Sequence, residues 1–227
     1  NQRSAVITKP DFLMNSRHDR ILSTDTATAY LKISDGCSNY CTYCAIPSIR
    51  GKARSRQPDD ILKEAQKLVG RGIREIILIG QDTTAYGRDL KNRPKLSLLL
   101  SDLASLPGVN WIRLLYTHPA HITASVLEAV AGHPKICRYI DLPVQHIDNT
   151  VLSAMNRRVS SERIREIINL ARSIMPDVTL RTSLIVGFPG ETEVDFEATL
   201  TLIEEINYAS AYSFKYSARP GTPAATL

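Results

Sequence analysis

Short apolar segments alternate with amphipathic segments along most of the chain. Six segments are continuously apolar over a few residues, which is typical of buried parallel strands; they span residues 30–34, 75–79, 111–116, 139–144, 180–186 and 211–216. Five further segments repeat their apolar positions with the helical period; they span residues 59–71, 95–106, 123–130, 162–175 and 193–206. Thr192 and Asp195 have the spacing of a capping box at the start of the last of these helices.

Strands that alternate with helices predict right-handed βαβ units and a parallel sheet. An open doubly wound sheet and a barrel both fit this alternation. Unusual residues follow the carboxyl end of nearly every strand, at 36–44, 80–82, 117–119, 145–146, 187–191 and 217–221. Barrel enzymes build their active sites from such loops on one face. We therefore predict an α/β fold, a partial six-stranded (β/α)6 barrel.

Composition and charge narrow the class of protein. The chain has 227 residues, of which 43% are hydrophobic and 22% charged, an ordinary globular balance. The formal net charge of +5 permits an acidic or nucleic-acid partner without requiring one. No apolar run has membrane-spanning length and no secretory signal is visible, so we expect a cytoplasmic protein without a membrane partner. Residues 1–28 show no clear period and are interpreted as a linker, with the core at 29–227.

Three of the four cysteines fall in one short segment. Cys37, Cys41 and Cys44 have the spacing C-x-x-x-C-x-x-C. A cubane iron–sulfur cluster takes one thiolate per iron, so three cysteines leave one iron open. An open coordination position is what distinguishes a catalytic metal site from a structural one. The amino and carboxylate groups of S-adenosylmethionine can chelate such an iron, which makes a 4Fe–4S cluster with this cofactor the leading hypothesis.

Three other interpretations remain open from the spacing alone. A structural zinc ion could use the three cysteines with Cys137 or a nearby histidine as fourth ligand. Cys41 and Cys44 could form a thioredoxin-like dithiol. The clustering could also be fortuitous. The position after the first strand of a βα series favours the iron–sulfur hypothesis.

The cysteine segment resembles that of the radical S-adenosylmethionine superfamily, and further motifs resemble its methylthiotransferases. These motifs are CTYCAIP at 41–47, RG at 50–51, SR at 55–56, GQDTTAYG at 80–87 and IVGFPGET at 185–192. The resemblance runs from about residue 30 to residue 225. It implies reductive cleavage of S-adenosylmethionine to a 5′-deoxyadenosyl radical, which activates a C–H bond for methylthio insertion. An external electron donor is implied as well.

The resemblance also implies roles for individual residues. The cluster ligands would be Cys37, Cys41 and Cys44. The cofactor-binding residues would be Tyr43, Gly80, Gln81, Gln145, Arg181, Ser183, Val186 and Gly187. Within this set, Tyr43, Val186 and Gly187 would contact the adenine, and Arg181 would pair with the methionine carboxylate.

A basic run follows the cysteine segment and is a weak candidate for substrate contact. It comprises Arg50, Lys52, Arg54 and Arg56, which form either a solvated face or a rim that attracts acidic groups. The histidines show no metal-binding spacing. For His118, His121 and His146, near the predicted mouth, we expect hydrogen-bonding roles rather than metal ligation.

The chain departs from the family pattern at both ends. Methylthiotransferases carry an N-terminal domain with three more cysteines for a second 4Fe–4S cluster, and a small C-terminal TRAM-like β-domain. Neither is present in this sequence, so we expect a catalytic core cut from a longer enzyme, with a second cluster only in the missing N-terminal domain.

The family divides by substrate. Residues 81–90, 46–51, 111–113, 141–146 and 180–183 resemble the branch that modifies an aspartate of small ribosomal subunit protein number twelve, whereas 216–223 resemble the branches that modify a tRNA adenosine. We favour the ribosomal protein. Two further hypotheses are a zinc-stabilised, non-catalytic binding module and a radical enzyme with a small-molecule substrate.

Overall fold

The computed structural model describes residues 12–23 and 26–227. Its strands are β1 (Thr28–Lys32), β2 (Ser34–Asp35), β3 (Arg54–Ser55), β4 (Glu75–Ile79), β5 (Trp111–Leu114), β6 (Tyr139–Asp141), β7 (Thr179–Val186) and β8 (Ser210–Lys215). Its α-helices are α1 (Ile46–Arg50), α2 (Pro58–Gly70), α3 (Leu96–Ala104), α4 (Ala124–Ala131), α5 (Asn149–Ala154), α6 (Ser161–Ile174) and α7 (Glu193–Ile206).

Six parallel strands follow one another in sequence order around the molecule. β1, β4 and β5 form one sheet, and β6, β7 and β8 form another. Backbone hydrogen bonds from Cys137 N to Ile112 O (2.9 Å) and from Thr117 N to Asp141 O (3.1 Å) connect the two sheets. Within the described residues β1 does not pair with β8, so the barrel stays open on that side. The predicted partial (β/α)6 barrel is confirmed.

The helices lie between the strands in the predicted places. The five predicted helices correspond to α2, α3, α4, α6 and α7. The capping box is present, because Thr192 Oγ1 accepts a hydrogen bond from Asp195 N and the Asp195 carboxylate accepts one from Thr192 N. The short helices α1 and α5 and the two-residue antiparallel pair of β2 with β3 were not predicted.

Alternation along β7 separates the helix-covered face of the barrel from its lumen. Leu180, Thr182 and Leu184 are buried, while Arg181 and Ser183 are only half-buried and line a cavity inside the barrel. This period of two is what a strand requires when helices cover one of its faces. The inward-facing positions are therefore available to bind a ligand.

The described part of the predicted linker packs on α2. Ser16 N donates to Asp60 Oδ1 (2.8 Å), and Lys67 Nζ donates to Ser16 O (2.7 Å). Residues 1–11 and 24–25 lie outside the described residues, and the domain boundary at residue 28 stays a prediction. Across residues 12–23 and 26–227, none of the helices has the length and apolarity needed to cross a bilayer.

Arg56 is not part of a basic rim, so that prediction is wrong. The residue is 2% exposed, and its guanidinium pairs with Asp60 (2.7 Å) and Glu64 (2.6 Å). It also donates to Lys32 O at the end of β1 (2.7 Å). Asp60 lies in the first turn of α2 and Glu64 in the second, and both carboxylates contact the arginine. Arg56 therefore attaches α2 to β1.

We predict that Arg56→Gln destabilises the protein by about 3–5 kcal/mol, because the buried Glu64 carboxylate loses its closer cation and keeps only Arg20 (3.2 Å). Arg50 is the matched control, since its ion pair with Asp35 (3.2 Å) is solvent-exposed. Arg50→Gln should cost less than about 1 kcal/mol. Urea unfolding of the two variants measures both values, and equal losses would contradict the buried-pair argument.

Candidate active site

The cysteine loop follows β2 at the carboxyl end of the first barrel strand. Cys37 N donates to Gly51 O (3.1 Å), and Cys44 N donates to Cys41 O (3.0 Å). Gly36 precedes the loop with φ +75°, and a Cβ there would lie 2.3 Å from Lys52 O. Only glycine tolerates both the left-handed backbone and this close approach. The local backbone therefore fixes where the loop begins.

Distant parts of the chain hold the centre of the loop. Thr42 N donates to Met155 O (3.1 Å), and Thr42 Oγ1 donates to Ala154 O (2.8 Å) at the end of α5. Asn156 Nδ2 donates to Tyr40 O (2.8 Å). The segment after α5 thus clamps a loop that lies more than a hundred residues earlier in the chain.

All three cysteines of the loop border one cavity of about 560 Å³, which we call the cysteine cavity. Its lining also includes four of the predicted cofactor-binding residues, Tyr43, Gly80, Gln81 and Gln145. Gly80 and Gln81 follow β4, and Gln145 follows β6, so the parallel strands bring them to the same mouth. The Gln81 Oε1 atom is buried without a hydrogen-bond partner.

The spacing of the sulfur atoms argues against a preformed zinc site. Only Asp82, His118 and His121 bring three ligand atoms within 4.8 Å of one another anywhere in the described chain, so the three sulfurs are spaced more widely. Tetrahedral zinc with Zn–S bonds of about 2.3 Å would hold them roughly 3.8 Å apart. A cubane cluster binds each cysteine to a different iron and needs the wider spacing. The thiol donor set therefore fits the cluster.

Cys137 does not complete the cysteine site. It immediately precedes β6, and its backbone N–H donates to Ile112 O of β5, at the amino ends of the strands. The cysteine loop follows β2 at the opposite end of the barrel. The hypothesis of a zinc ion bound by all four cysteines is therefore wrong in that ligand set.

Burial keeps the thiols of Cys37 and Cys44 protonated in the absence of a metal. It raises the pKa of Cys37 to about 11, although the backbone N–H of Asn39 opposes this shift. Burial also raises the pKa of Cys44. Binding of a metal cluster must therefore release protons from these thiols.

Arg157 is the main functional candidate that the sequence did not reveal. It is 5% exposed and lines the cysteine cavity, with Nη1 3.8 Å from Cys41 Sγ and 3.5 Å from the Tyr43 hydroxyl. Nη2 donates to Pro143 O, whereas Nε is buried without a hydrogen-bond partner. Arg157 follows the unpredicted helix α5, and no local pattern distinguishes it from Arg158.

A second cavity of about 650 Å³, the lumen cavity, extends below the cysteine cavity inside the barrel. Arg181 and Ser183 line it together with Tyr43, Cys44 and Gln145, and the last three also border the cysteine cavity. The structure therefore brings most of the predicted cofactor-binding residues into one continuous region. Val186, the last residue of β7, and Gly187, which follows it, are not among the lining residues of either cavity.

The residues of the basic run do not form one shared basic surface. Arg50 pairs with Asp35 and borders the cysteine cavity. Arg54 Nη2 donates to Phe12 O (3.3 Å), and Lys52 is exposed. With Arg56 buried, Arg50, Lys52 and Arg54 have three different environments, and their contact with a substrate stays a prediction.

The histidines near the mouth make the expected hydrogen bonds, with one addition. His121 Nδ1 lies 2.6 Å from Asp82 Oδ2, an atom that also accepts from Asn39 Nδ2 of the cysteine loop (2.9 Å). His146 Nδ1 accepts from Asp148 N (3.0 Å). The group Asp82, His118 and His121 also has metal-ligating chemistry, which the sequence spacing did not indicate.

His118 has an environment that keeps its ring neutral. Its Nδ1 accepts from Ala120 N (3.1 Å), and its Nε2 is buried without a partner. Burial and the charge of Arg157 lower the pKa of His118 to about 3. The ring therefore adds no positive charge to the region beside Cys37.

Comparison with known proteins agrees with this geometry. The family described as the Radical SAM superfamily matches residues 31–203. The ribosomal protein uS12 methylthiotransferase RimO of Syntrophus aciditrophicus is 52% identical over 98% of this chain and 49% of its own length. The RimO of Geobacter sulfurreducens is 49% identical over 96% of this chain and 49% of its own length. The chain thus spans about half the length of these curated relatives.

Solved structures show the same fold at low sequence identity. The radical S-adenosylmethionine methyltransferase TsrM from Kitasatospora setae has a TM-score of 0.72 at 17% identity, over 88% of this chain and 38% of its own. Methylornithine synthase (PylB) has a TM-score of 0.62 at 15% identity, over 88% of this chain and 56% of its own. With its cysteine loop at the mouth of a partial barrel, the chain belongs to the Radical SAM superfamily.

Proposed function

We propose that this chain is the catalytic core of a radical S-adenosylmethionine methylthiotransferase that modifies an aspartate of ribosomal protein uS12. The observation that carries the proposal is the single cavity bordered by Cys37, Cys41 and Cys44 at the barrel mouth. Relatives at 52% and 49% identity, named as uS12 methylthiotransferases, support this substrate over a tRNA adenosine. The reaction would take place in the cytoplasm with an external electron donor.

The cysteines would hold a 4Fe–4S cluster, with one iron left for S-adenosylmethionine. When bound, these groups supply a radical that removes a hydrogen atom from the substrate. The protein's own contribution is to bind, orient and exclude water. Arg157 contributes a buried positive charge 3.8 Å from Cys41 Sγ, which would offset the negative charge of a cluster bound there.

Residues at the strand ends would bind the methionine part of the cofactor. The buried and unpaired Gln81 Oε1 is an acceptor for its amino group. For its carboxylate the geometry favours Arg157 over Arg181, because Arg157 borders the cysteine cavity and has an unpaired Nε. Arg181 does not line that cavity. Gln145 and Tyr43 border both cavities, which supports a position between the methionine and the lumen for their side chains.

The remaining residues keep the roles that the family resemblance implies. Tyr43, Val186 and Gly187 are proposed to contact the adenine, and Ser183 is proposed to face the cofactor from β7. A second cluster and a TRAM-like domain are expected in the longer protein, as in the methylthiotransferases. Their presence is a prediction about the full-length protein and not about this chain.

We predict that anaerobic reconstitution yields a 4Fe–4S cluster whose low-temperature electron paramagnetic resonance signal shifts when S-adenosylmethionine is added. Cys41→Ala should abolish this signal, because the loop then provides only two thiolates. Cys137→Ala is the matched control and should leave both the signal and the bound iron unchanged, because Cys137 lies at the other end of the barrel. If the full-length protein carries a second cluster, the part of the signal that shifts with the cofactor is the one to compare. Tightly bound zinc without a cofactor-dependent signal would contradict the proposed function.

We predict that Arg157→Gln weakens S-adenosylmethionine binding by roughly 30-fold or more, since a buried charge pair is lost. Arg158→Gln is the control, because Arg158 is exposed and its Nε donates only to the neighbouring Asn156. Equilibrium binding to reconstituted protein measures the effect, with iron content determined for each variant. Unchanged cofactor binding in Arg157→Gln, with normal iron content, would rule out this role.

A further inference from the structure

Two arginines line the lumen cavity: Arg219 is exposed, whereas the half-buried Arg181 has hydrogen-bonding capacity that is incompletely used. The Arg181 guanidinium lies over the Tyr212 ring, 4.5 Å from its centroid, in a cation–π contact. Its Nε lies 3.7 Å from Asp141 Oδ1, which is beyond hydrogen-bond distance, and has no hydrogen-bond partner. The guanidinium also donates a hydrogen bond to the Tyr139 hydroxyl, so the aromatic contact and this bond fix its plane and leave the Nε–H edge available.

Arg113, a second arginine of the same barrel, has both an aromatic contact and a carboxylate partner. Arg113 on β5 also stacks on a tyrosine, with its guanidinium 5.1 Å from the Tyr139 ring centroid. Its Nε donates to Glu75 Oε1 at 3.0 Å. Arg113 and Arg181 thus share the same chemistry, but only Arg113 has a carboxylate within hydrogen-bond distance. Arg181 lines the lumen cavity and Arg113 does not.

Asp141 does not fill the open position of Arg181. Its Oδ2 accepts from Tyr116 N (2.8 Å), which holds the carboxylate against the end of β5. Its Oδ1 is buried and has no hydrogen-bond partner. Asp141 therefore orients Arg181 electrostatically without binding it directly. Buried polar groups normally have partners, so both atoms call for an explanation.

A ligand carboxylate accounts for the open edge of Arg181. Guanidinium and carboxylate groups match in charge and in the geometry of two parallel hydrogen bonds. A cavity that also reaches Cys44 and Tyr43 connects this position with the cysteine loop. The carbon that carries the reacting hydrogen of an aspartate is bonded to its carboxyl carbon, so binding the carboxylate also fixes the reacting C–H bond.

We propose that Arg181 is the specificity residue of the site, and that its guanidinium binds the carboxylate of the target aspartate inside the barrel. This inference rests on the proposed function and names the group by which that function selects its substrate. An uncharged base offers no anion to this position, so Arg181 favours an aspartyl target over an adenine. Tyr212 and Asp141 act as positioning residues, because the ring of Tyr212 stacks on the guanidinium and the charge of Asp141 attracts it.

The test is a double-mutant cycle on the reconstituted full-length protein that carries this sequence. The probes are a uS12 peptide with the target aspartate and the same peptide with asparagine at that position. For the unmodified protein, we expect the asparagine peptide to bind roughly 30-fold more weakly. For Arg181→Gln, the aspartate peptide should lose about the same factor, and the two peptides should bind within about threefold of each other.

Two controls separate specificity from structural damage and from cofactor binding. Arg113→Gln removes the other tyrosine-stacked arginine and should keep the discrimination between the two peptides. Arg181→Gln should keep the cofactor-dependent resonance signal and the affinity for S-adenosylmethionine. Arg181→Lys, which keeps the charge but not the forked geometry, should restore part of the discrimination.

The outcomes distinguish this inference from the proposed function. If Arg181→Gln discriminates between the peptides as well as the unmodified protein does, the inference is overturned. If Arg181→Gln loses S-adenosylmethionine binding instead, Arg181 binds the cofactor carboxylate, which also overturns it. An unmodified protein that forms no cluster or binds neither peptide overturns the proposed function itself, and this inference with it.

Discussion

The clamp between the cysteine loop and the segment after α5 is the constraint on which the rest of the site depends. A nine-residue loop with three thiols has no regular structure of its own to fix the sulfur positions. Thr42 is held by backbone carbonyls of Ala154 and Met155, and Tyr40 by the amide of Asn156. The next residue, Arg157, then lies directly against Cys41. The same contact therefore positions the loop and brings the positive charge of Arg157 beside the Cys41 sulfur.

The barrel makes this clamp possible because it brings strand ends together that are distant in sequence. β1 and β6 are on opposite sides of the parallel array, yet the loops that follow them meet over the same mouth. A parallel βα array places all carboxyl ends of its strands on one face. The strand order is therefore sufficient to bring Cys37, Gly80 and Gln145 to the same cavity.

Local sequence patterns predicted the strands, the long helices and the three cysteines of the loop, because each of these features depends on periodicity or spacing within a few residues. Arg157 has no such signal, since its role arises from a contact across 116 residues. For Arg56, in contrast, the sequence pattern suggested a role that the structure does not support. A run of cations suggested an exposed face, but the carboxylates of Asp60 and Glu64 pair with the one arginine that precedes α2. Charge composition alone cannot distinguish a solvated cation from one that a helix buries.

Four buried polar atoms without hydrogen-bond partners mark positions where the protein can bind a ligand. Gln81 Oε1, Asp141 Oδ1 and the Nε atoms of Arg157 and Arg181 all belong to residues that line the two connected cavities. Leaving such groups unpaired costs about 1–3 kcal/mol each, and more for charged ones. Stability alone would favour a hydrogen-bond partner for each of these atoms, as Glu75 provides for Arg113. These four atoms share one continuous space, as expected if ligands complete hydrogen bonds there, and we propose that Arg157 lies at its cofactor end and Arg181 at its substrate end.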